Sequence, residues 1–452
     1  TPCPMSSAKS SVTLSNSSDS YAILYNGRFV PAGTLSISAT GASSPLSVQI
    51  TPTIFAATAP ISFAASFTGP NGTLIYDSTG KTVYVGIANG ATPLYSVAYS
   101  TSTGYGTPTA VTVTSLNGSG ASSLSGSGVN AVTIGPDNNL WIAEYGGRGS
   151  TQYVAVAAIH SPVINPLNGT TIQPGAGVFA EYTLSPAALG PNGNASPQLK
   201  AIATSGGYIW AMDHSGDIWR INPATGAVNP NLGSAYSPGQ SVTGANTSNP
   251  LTDTTGATVI AGNGPVFDNP VFPIGASIYF TDAAARSFDV LALDTSTTPS
   301  TGLCTPAGPP PCIATFQRSL IGSVNSTREV PNGAATDGTN IYVIDASSQK
   351  VDKITLPSSL VTSQAPFTSI LGGLAVTSDG WLWSLSSTGV QVLPGMTAPG
   401  VVSPANVSAC SSSNKHVRGS FPLIAGPDGT LLFSPDIEDS SGTVAVLCAV
   451  VY

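Results

Sequence analysis

Five carboxylates recur at one position of a repeated pattern, and they are the residues whose type and spacing could do chemistry. Each stands three residues after an aromatic in a short apolar run, as Glu144 does after Trp141. The full set is Glu144, Asp213, Asp282, Asp345 and Asp436. A ring of such acids could hold a metal ion or act as general acid and base. The alternative, which we favour, is that each acid braces the turn after its strand by accepting backbone N–H bonds.

Basic residues support the bracing interpretation. Several of the acids are followed within a few positions by a positive side chain, at Arg148, Arg220, Arg286 and Lys350. A repeated acid–base pairing of this kind is typical of structural ion pairs rather than of one catalytic centre.

His214 offers a second chemical interpretation. It lies between Asp213 and Asp217, which could orient its imidazole for proton transfer. The bland alternative is a hydrogen-bonded surface turn. Further along, Asp436, Glu438 and Asp439 loosely suggest a calcium loop, but the ligand spacing of known loops is absent. The sequence contains no nucleophile elbow, P-loop, HExxH or paired CxxC motif, so we predict no cofactor and no metal.

The elements that carry the acids are short β-strands. The aromatic runs are bounded by turn pairs such as Asp337-Gly338 and Pro427-Asp428, and sustained helical periodicity is absent. Two further runs, at Tyr84 and at Trp381–Trp383, keep the aromatic and lose the acid. Seven units therefore span Tyr84 to Phe433 at intervals of about 58 residues, somewhat above the blade period of four-stranded propeller repeats. The chain is predicted to be an all-β, seven-bladed β-propeller.

The Trp residues have two interpretations. They are Trp141, Trp210, Trp219, Trp381 and Trp383. They could stack on carbohydrate, but at repeat positions we expect them to pack between blades. The stretches 146–176, 186–198 and 229–255 are rich in Pro, Asn, Gly, Ser and Thr, and they are predicted to be loops on one rim.

Two pieces of the repeat resemble a known family. Gly135-Pro136-Asp137-Asn138-Asn139-Leu140-Trp141-Ile142-Ala143-Glu144 and Gly426-Pro427-Asp428-Gly429-Thr430-Leu431-Leu432-Phe433 are similar to the blade repeat of virginiamycin B lyase-type propellers, and Tyr342-Val343-Ile344-Asp345 resembles NHL repeats. The resemblance implies a propeller fold. In the lyases it also implies a His with a nearby Glu as general acid–base, plus a divalent metal. Of His160, His214 and His416, only His214 lies inside a recognisable unit, and no second Glu accompanies it, so the lyase site does not transfer.

The first 70 residues lack the repeat but still alternate like strands, for example at 34–38 and 46–50. We divide the chain into an N-terminal β extension, 1–70, and a propeller, 71–452. The extension could complete the last blade, form a small sandwich or reach another subunit. Because about 70 residues is short for a sandwich, ring closure or subunit contact is favoured.

Composition limits the partners. Only 8% of the residues are charged, against the usual figure of about 25%, and the net charge is −8. No Lys/Arg cluster exists for a nucleic-acid backbone, and no apolar run reaches membrane-spanning length. Eight Asn-x-Ser/Thr sequons occur where about six arise by chance, so they receive little weight.

The cysteines indicate an oxidising compartment. Cys304 and Cys312 bracket a Pro-rich loop, Cys410 and Cys448 fall in the last repeat, and Cys3 is left over. Two local disulfides fit this spacing, with Cys3 paired to the last repeat, paired between chains or free. No signal peptide is visible, so Thr1 is expected to be a mature N-terminus.

These observations favour a secreted or cell-surface propeller that is a non-enzymatic structural or interaction module. Its apolar C-terminal strand and non-repeat N-terminus suggest self-assembly, for instance into a filament, or docking to a cell-surface matrix. The alternative is a propeller-type lyase or hydrolase acting on a small ligand or glycan at the central channel.

We predict that Cys304 and Cys312 form a disulfide. The bridge would close a loop of about nine residues and stabilise the fold by roughly 2–3 kcal/mol in the chain-entropy account. Peptide mapping of native protein without reductant should recover the two cysteines in one cross-linked fragment. Recovery of both as free thiols would disprove the bridge.

Overall fold

The computed structural model describes part of the chain, for some strands by the backbone alone. The described ranges are 33–37, 46–50, 61–68, 71–88, 91–112, 115–117, 124, 128–144, 152–175, 177–184, 199–213, 218–229, 267–282, 287–294, 312–320, 333–345, 350–356, 361–366, 370–377, 380, 382–386, 389–393, 405–406, 416–418, 423–434, 436–439 and 442–451. Regular structure in these ranges is β-strand apart from short 3₁₀ turns such as Pro427–Gly429. The all-β prediction is therefore confirmed.

Three strands precede the repeat. They are β1 (Gly33–Ile37) and β2 (Leu46–Ile50), which form an antiparallel hairpin, and β3 (Ile61–Thr68). The hairpin falls where the sequence alternates at 34–38 and 46–50, as predicted.

Seven larger sheets follow in the described residues, each built mainly from consecutive antiparallel strands. The first sheet contains β4 (Asn71–Asp77), β5 (Thr82–Ile87), β6 (Leu94–Ser100), β7 (Gly104–Tyr105) and β8 (Thr109–Ala110). The second contains β9 (Ser115–Asn117), β10 (Val129–Ile134), β11 (Leu140–Glu144), β12 (Gln152–Ala157) and, after the hairpin β13 (Val163–Ile164) and β14 (Thr171–Ile172), β15 (Val178–Leu184). The third contains β16 (Leu199–Ser205), β17 (Tyr208–Asp213), β18 (Ile218–Ile221) and β19 (Val228–Asn229).

The remaining sheets repeat this plan. The fourth contains β20 (Phe267–Ile274), β21 (Ser277–Asp282), β22 (Ser287–Asp294) and β23 (Cys312–Leu320), and the fifth β24 (Ala334–Thr336), β25 (Asn340–Asp345), β26 (Lys350–Thr355) and β27 (Val361–Pro366). The sixth contains β28 (Ile370–Val376), β29 (Leu382–Ser386), β30 (Gly389–Leu393) and β31 (Ala405–Asn406). The seventh contains β32 (His416–Arg418), β33 (Leu423–Ala425), β34 (Thr430–Phe433), β35 (Asp436–Asp439) and β36 (Gly442–Val451).

The repeat found in the sequence corresponds to one position in these sheets. The aromatic runs form the strands β5, β11, β17, β21, β25, β29 and β34. Each of these strands directly follows the strand of its sheet that contacts the neighbouring sheets. The turn before the run reverses the chain through a positive φ, which Gly supplies at Gly338 (85°) and Asn at Asn138 (58°). The stretch 146–176 was predicted to be a loop, and this prediction is wrong. The stretch contains β12, β13 and β14, whose apolar residues lie between polar flanks.

The sheets contact one another through one strand each, which is counted from here on as the first strand of its sheet; β9 and β32 are additional strands. β4 contacts β10, and the contacts continue through β16, β20, β24, β28 and β33; β33 in turn contacts β4. Because a single sheet cannot cover both of its faces, these contacts bury the strand faces between neighbouring sheets.

Apolar side chains fill the seams between the sheets. One core cluster joins the second and third sheets through Trp141, Tyr182 and Trp219. Other clusters join the first sheet to the second, the fourth to the fifth and the fifth to the sixth. The core interpretation of Trp141, Trp210, Trp219 and Trp383 is confirmed, since all four are buried; Trp381 lies outside the described residues.

The strand β3 of the N-terminal segment joins the seventh sheet. This strand pairs antiparallel with β36 from Ile61 opposite Val450 to Thr68 opposite Val444. On its other edge β36 pairs with β34 and β35, so both edges of the C-terminal strand are used within the chain. Residues 61–68 therefore add a strand to the seventh sheet, and closure of a ring by the extension stays a prediction.

A mixed apolar cluster seals the same place. Phe67 of β3 packs with Val83 and Val85 of the first sheet and Leu432 and Leu447 of the seventh. Its ring lies 4.7 Å from that of Tyr95, with the planes tilted by 52°. Burying Phe67 there links the pairing of the two chain ends to the packing of the first and last sheets.

Two truncations separate β3 from what precedes it. Deleting residues 1–60 retains β3, so we expect a folded protein with a cooperative thermal transition. Deleting residues 1–70 exposes one edge of β36 and removes Phe67 from the core, and loss of a buried Phe side chain alone costs about 3–5 kcal/mol. We expect this variant to melt at lower temperature or to aggregate. Equal melting temperatures for the two variants would contradict closure by β3.

Candidate functional site

Acids in the turns between the first and second strands make the best-defined polar contacts. In the first sheet Asp77 accepts hydrogen bonds from the backbone of Thr79 (3.0 Å) and Gly80 (3.1 Å). In the fifth sheet Asp337 accepts them from the backbone of Thr339 (2.8 Å) and Asn340 (2.6 Å). These turns therefore carry their own acceptors, as Asx turns do.

The same turns also bind the aromatic of the following strand. In the second sheet the indole Nε1 of Trp141 donates to Oδ1 of Asp137 at 3.0 Å, and in the fifth the hydroxyl of Tyr342 donates to Oδ2 of Asp337 at 3.0 Å. Trp383 donates to Oγ1 of Thr377 at 3.0 Å. We call this contact between turn acceptor and strand aromatic the turn clasp. It gives Trp141, Tyr342 and Trp383 the polar partner that a buried Trp or Tyr needs.

A glycine is required at Gly135, before the clasp of the second sheet. A Cβ at Gly135 would lie 2.3 Å from Oδ1 of Asp137 and 2.5 Å from Nε1 of Trp141. A larger residue would therefore displace the two atoms that form the clasp.

His160 joins the first sheet to the second. Its Nε2 lies 2.7 Å from Oδ2 of Asp77, and the side chains are 24% and 3% exposed, respectively. His160 follows the third strand of the second sheet, and Asp77 begins the turn after the first strand of the first sheet. In antiparallel sheets these connections emerge at the same end, so the pair bridges two neighbouring sheets on one face of the ring.

Asn139 positions the segment that carries His160. Its buried Oδ1 accepts the backbone N–H groups of Ile159, His160 and Ser161 at 3.0, 3.1 and 3.0 Å. Its Nδ2 donates to Oδ2 of Asp137 at 2.8 Å. A continuous chain of hydrogen bonds thus runs from the clasp of the second sheet to the turn of the first.

Buried tyrosines surround this chain. Burial, and then the charge of Asp77, raises the pKa of Tyr84 to about 12. Burial, and then the charge of Asp137, raises the pKa of Tyr182 above its ordinary value. Both hydroxyls therefore stay protonated at neutral pH, and that of Tyr182 donates to the carbonyl of Ile164 at 3.3 Å.

An equivalent bridge lies at the closing seam. The hydroxyl of Tyr105, in the fourth-strand region of the first sheet, is 2.6 Å from Oγ1 of Thr430, at the turn of the seventh. Thr430 gives its one hydroxyl proton to the carbonyl of Pro427 at 2.7 Å, so Tyr105 is the donor. A side chain after the third strand again reaches the first turn of the preceding sheet.

The repeat acids lie at the ends of strands rather than in the turns that form the clasps. Glu144 and Asp213 are the last residues of β11 and β17, and both are fully buried. Asp282 and Asp345 end β21 and β25, and Asp436 begins β35; their side chains lie outside the described residues. Because each acid sits in its own sheet, the repeat separates them. Among the residues that the structure describes, no three His, Cys, Asp or Glu side chains converge as metal ligands.

Some of the other predicted residues are described by the structure, and the rest are not. Arg220 is buried, with its guanidinium 4.7 Å from the ring centroid of Tyr208, and Lys350 stands opposite Asp345 in the β25–β26 ladder. The segment 436–439 is the strand β35 paired on both edges, which is a correction to the calcium-loop interpretation. His214 and Asp217 lie outside the described residues, as do Arg148, Arg286, Cys3, Cys304 and Cys410.

Sequence reasoning missed the Asp77–His160 pair. The two residues are 83 positions apart, and neither belongs to the aromatic-plus-three pattern. The available signal was the turn acid itself, since Asp77, Asp137 and Asp337 each precede an aromatic strand by a few residues. Nothing in the spacing indicates which later segment would bring a histidine to Asp77.

Comparison with known proteins adds little. No family model matches the chain, and no curated protein matches it. Three similar solved structures are the extracellular domain of a proposed one component system from B. thetaiotaomicron (10% identity, TM-score 0.43, 84% of this chain and 38% of that one), the WD40 β-propeller domain of Doa1 (10%, 0.44, 85% and 95%) and the β-propeller domain of Cps50 (Swd1) from Myceliophteria thermophila (9%, 0.37, 86% and 98%). The chain thus spans little more than a third of the first of these. With TM-scores below 0.5, the fold description rests on the sheets and their contacts.

The clasp at Asp337 should depend on pH. Burial alone would raise the pKa of Asp337, but hydrogen bonds from Asn340, Thr339 and Tyr342 outweigh it and lower the pKa below 3.8. A lowered pKa stabilises the folded state above the ordinary value, and the contribution is lost as the pH falls through the folded-state pKa. Asp337→Ala should therefore lower the free energy of unfolding by about 1 kcal/mol at pH 7. The difference should shrink below pH 3.8.

Tyr342→Phe is the matched control for this clasp. It removes one donor and leaves the backbone bonds to Asp337, so its loss should be smaller and the pH dependence should remain. Denaturant unfolding at several pH values measures both variants. A loss in Asp337→Ala that is equal at pH 7 and pH 2.5 would contradict the assignment.

Proposed function

We propose that this chain is a seven-bladed β-propeller that acts as a non-enzymatic structural or interaction module. The observation that carries the proposal is that the polar side chains named next already take part in structural hydrogen bonds. Asp77, Asp137, Asp337 and His160 are types that a catalytic site would use, yet each is hydrogen-bonded within a turn or across a seam. The order of contacts through the seven first strands supports the blade number.

We assign the blades to the virginiamycin B lyase-like and NHL-repeat type. The support is the turn clasp, because it uses the Asp and the Trp of the Gly-Pro-Asp motif at Gly135–Trp141. Asn138 occupies the position where the resembled repeat has a second Gly, and it adopts the positive φ of 58° that such a position favours. The lyase chemistry is not part of this assignment.

The proposed location is extracellular or at the cell surface. Cys448 is disulfide-bonded, and persistent disulfides are typical of oxidising compartments. We propose Cys410 as its partner, since both cysteines belong to the last repeat. In the residues that the structure describes, no helix is long and apolar enough to cross a membrane.

The proposed partners are other copies of the chain or a cell-surface matrix. Since both edges of β36 are paired within the chain, we place self-association on residues 1–60, upstream of β3. With only 8% charged residues, the surface would recognise partners through shape and hydrogen bonds rather than through long-range charge.

Imaging and light scattering test the two halves of this proposal. Electron micrographs of the native particle should show seven sectors in one chain, and any other number would refute the blade count. Light scattering of the full chain should show association that grows across micromolar concentrations. Deletion of residues 1–60 should abolish the association without unfolding the protein. A full-length chain that stays strictly monomeric would reject self-assembly.

A further inference from the structure

The hairpin of β13 and β14 ends in a tightly fixed tip. The backbone N–H of Asn165 donates to the carbonyl of Thr170 at 2.8 Å, and the N–H of Gly169 donates to the carbonyl of Asn165 at 2.9 Å. The side-chain Oδ1 of Asn165 accepts the N–H of Leu167 at 2.9 Å. These bonds hold the residues between Asn165 and Thr170 in one conformation and turn them outward.

Asn168 lies at this tip with its amide oriented. Its Oδ1 accepts the backbone N–H of Thr170 at 3.0 Å and the hydroxyl of Thr170 at 2.7 Å. Both bonds use the oxygen, so they hold it against the hairpin. The nitrogen Nδ2 points away and donates to none of the described residues, and the whole residue is exposed. Gly169, between the two partners, has φ 69° and no atom within 4 Å of where a Cβ would be.

Leu167 marks the same surface. It is 68% exposed and is the only large apolar side chain in the described part of the chain that is so exposed. An isolated exposed leucine is common in itself. Its position immediately before Asn168 means that any bulky group attached to the Nδ2 atom would cover it.

We propose that Asn168 is an N-glycosylation site, with Asn168-Gly169-Thr170 as its sequon. The donor is a glycan carried on a lipid phosphate, transferred by a separate enzyme. The Nδ2 atom forms a bond to the anomeric carbon, the bond from that carbon to the phosphate oxygen breaks, and the lipid phosphate leaves with the electron pair. A proton is lost from Nδ2. The attached sugars then cover Leu167.

Asn168 is exposed, and its amide oxygen is held by Thr170, the residue that completes its sequon. The seven others have their Asn side chains outside the described residues: Asn16, Asn71, Asn117, Asn194, Asn246, Asn325 and Asn406. The inference rests on the extracytoplasmic location proposed above, because lipid-linked glycan transfer occurs on exported chains.

Mass spectrometry of the native protein tests the assignment. The peptide that contains Asn168 should carry a glycan mass. Asn168→Gln and Thr170→Ala should each remove that mass, whereas Thr170→Ser, which keeps the hydroxyl, should retain it. Because the tip is exposed, all three variants should melt close to the unmodified sequence, which separates loss of the glycan from loss of the fold.

Three outcomes would overturn the proposal, and they are distinguishable. Protein recovered outside the cell with Cys448 oxidised, but with Asn168 unmodified, would refute the glycosylation site alone. Protein recovered inside the cell with Cys448 as a free thiol would refute the proposed location and the site together. A glycan mass that persists in Asn168→Gln would place the modification on another residue.

Discussion

The pairing of the two chain ends is the constraint on which the rest of the structure depends. β3 and β36 are nearly 400 residues apart in sequence, yet they form one ladder on the outside of the seventh sheet. Phe67 belongs to this ladder and packs against the first sheet, next to Leu432 and Leu447 of the seventh. Each sheet buries its faces only against its neighbours, so loss of this ladder would expose apolar side chains of the first and seventh sheets.

Two hydrogen bonds between side chains also link neighbouring sheets. His160 reaches back to Asp77, and Tyr105 reaches back to Thr430, in each case from after a third strand to the turn of the preceding sheet. Such bonds fix the angle between neighbours that apolar packing alone leaves adjustable, because hydrogen bonds are directional. Asp77, His160, Tyr105 and Thr430 are accordingly part of the framework that holds neighbouring sheets together.

Much of the fold could be predicted from the sequence, and the limits have physical reasons. The aromatic runs, such as those around Trp141 and Trp210, predicted the second strand of each sheet correctly. Strands can be predicted in this way because local alternation and turn residues determine them. The repeat did not single out the acids whose turn contacts are described, Asp77, Asp137 and Asp337, which precede the strand. Glu144 and Asp213 are buried at the end of their strands, and bracing by the repeat acids stays a prediction. Contacts between sheets, such as that of His160, depend on long-range packing and leave no periodic signal.

Cross-linking between β3 and β36 tests the closure most directly. Ser66 and Val446 lie opposite each other in the ladder, so Ser66→Cys combined with Val446→Cys should form a disulfide under mild oxidation. In dilute protein the account predicts a cross-link within one chain, which leaves the mass of a monomer, and no new cross-link in Ser66→Cys alone. Cross-linked dimers or longer ladders at the same dilution would show that β3 pairs with a neighbouring chain, and would contradict the closed ring.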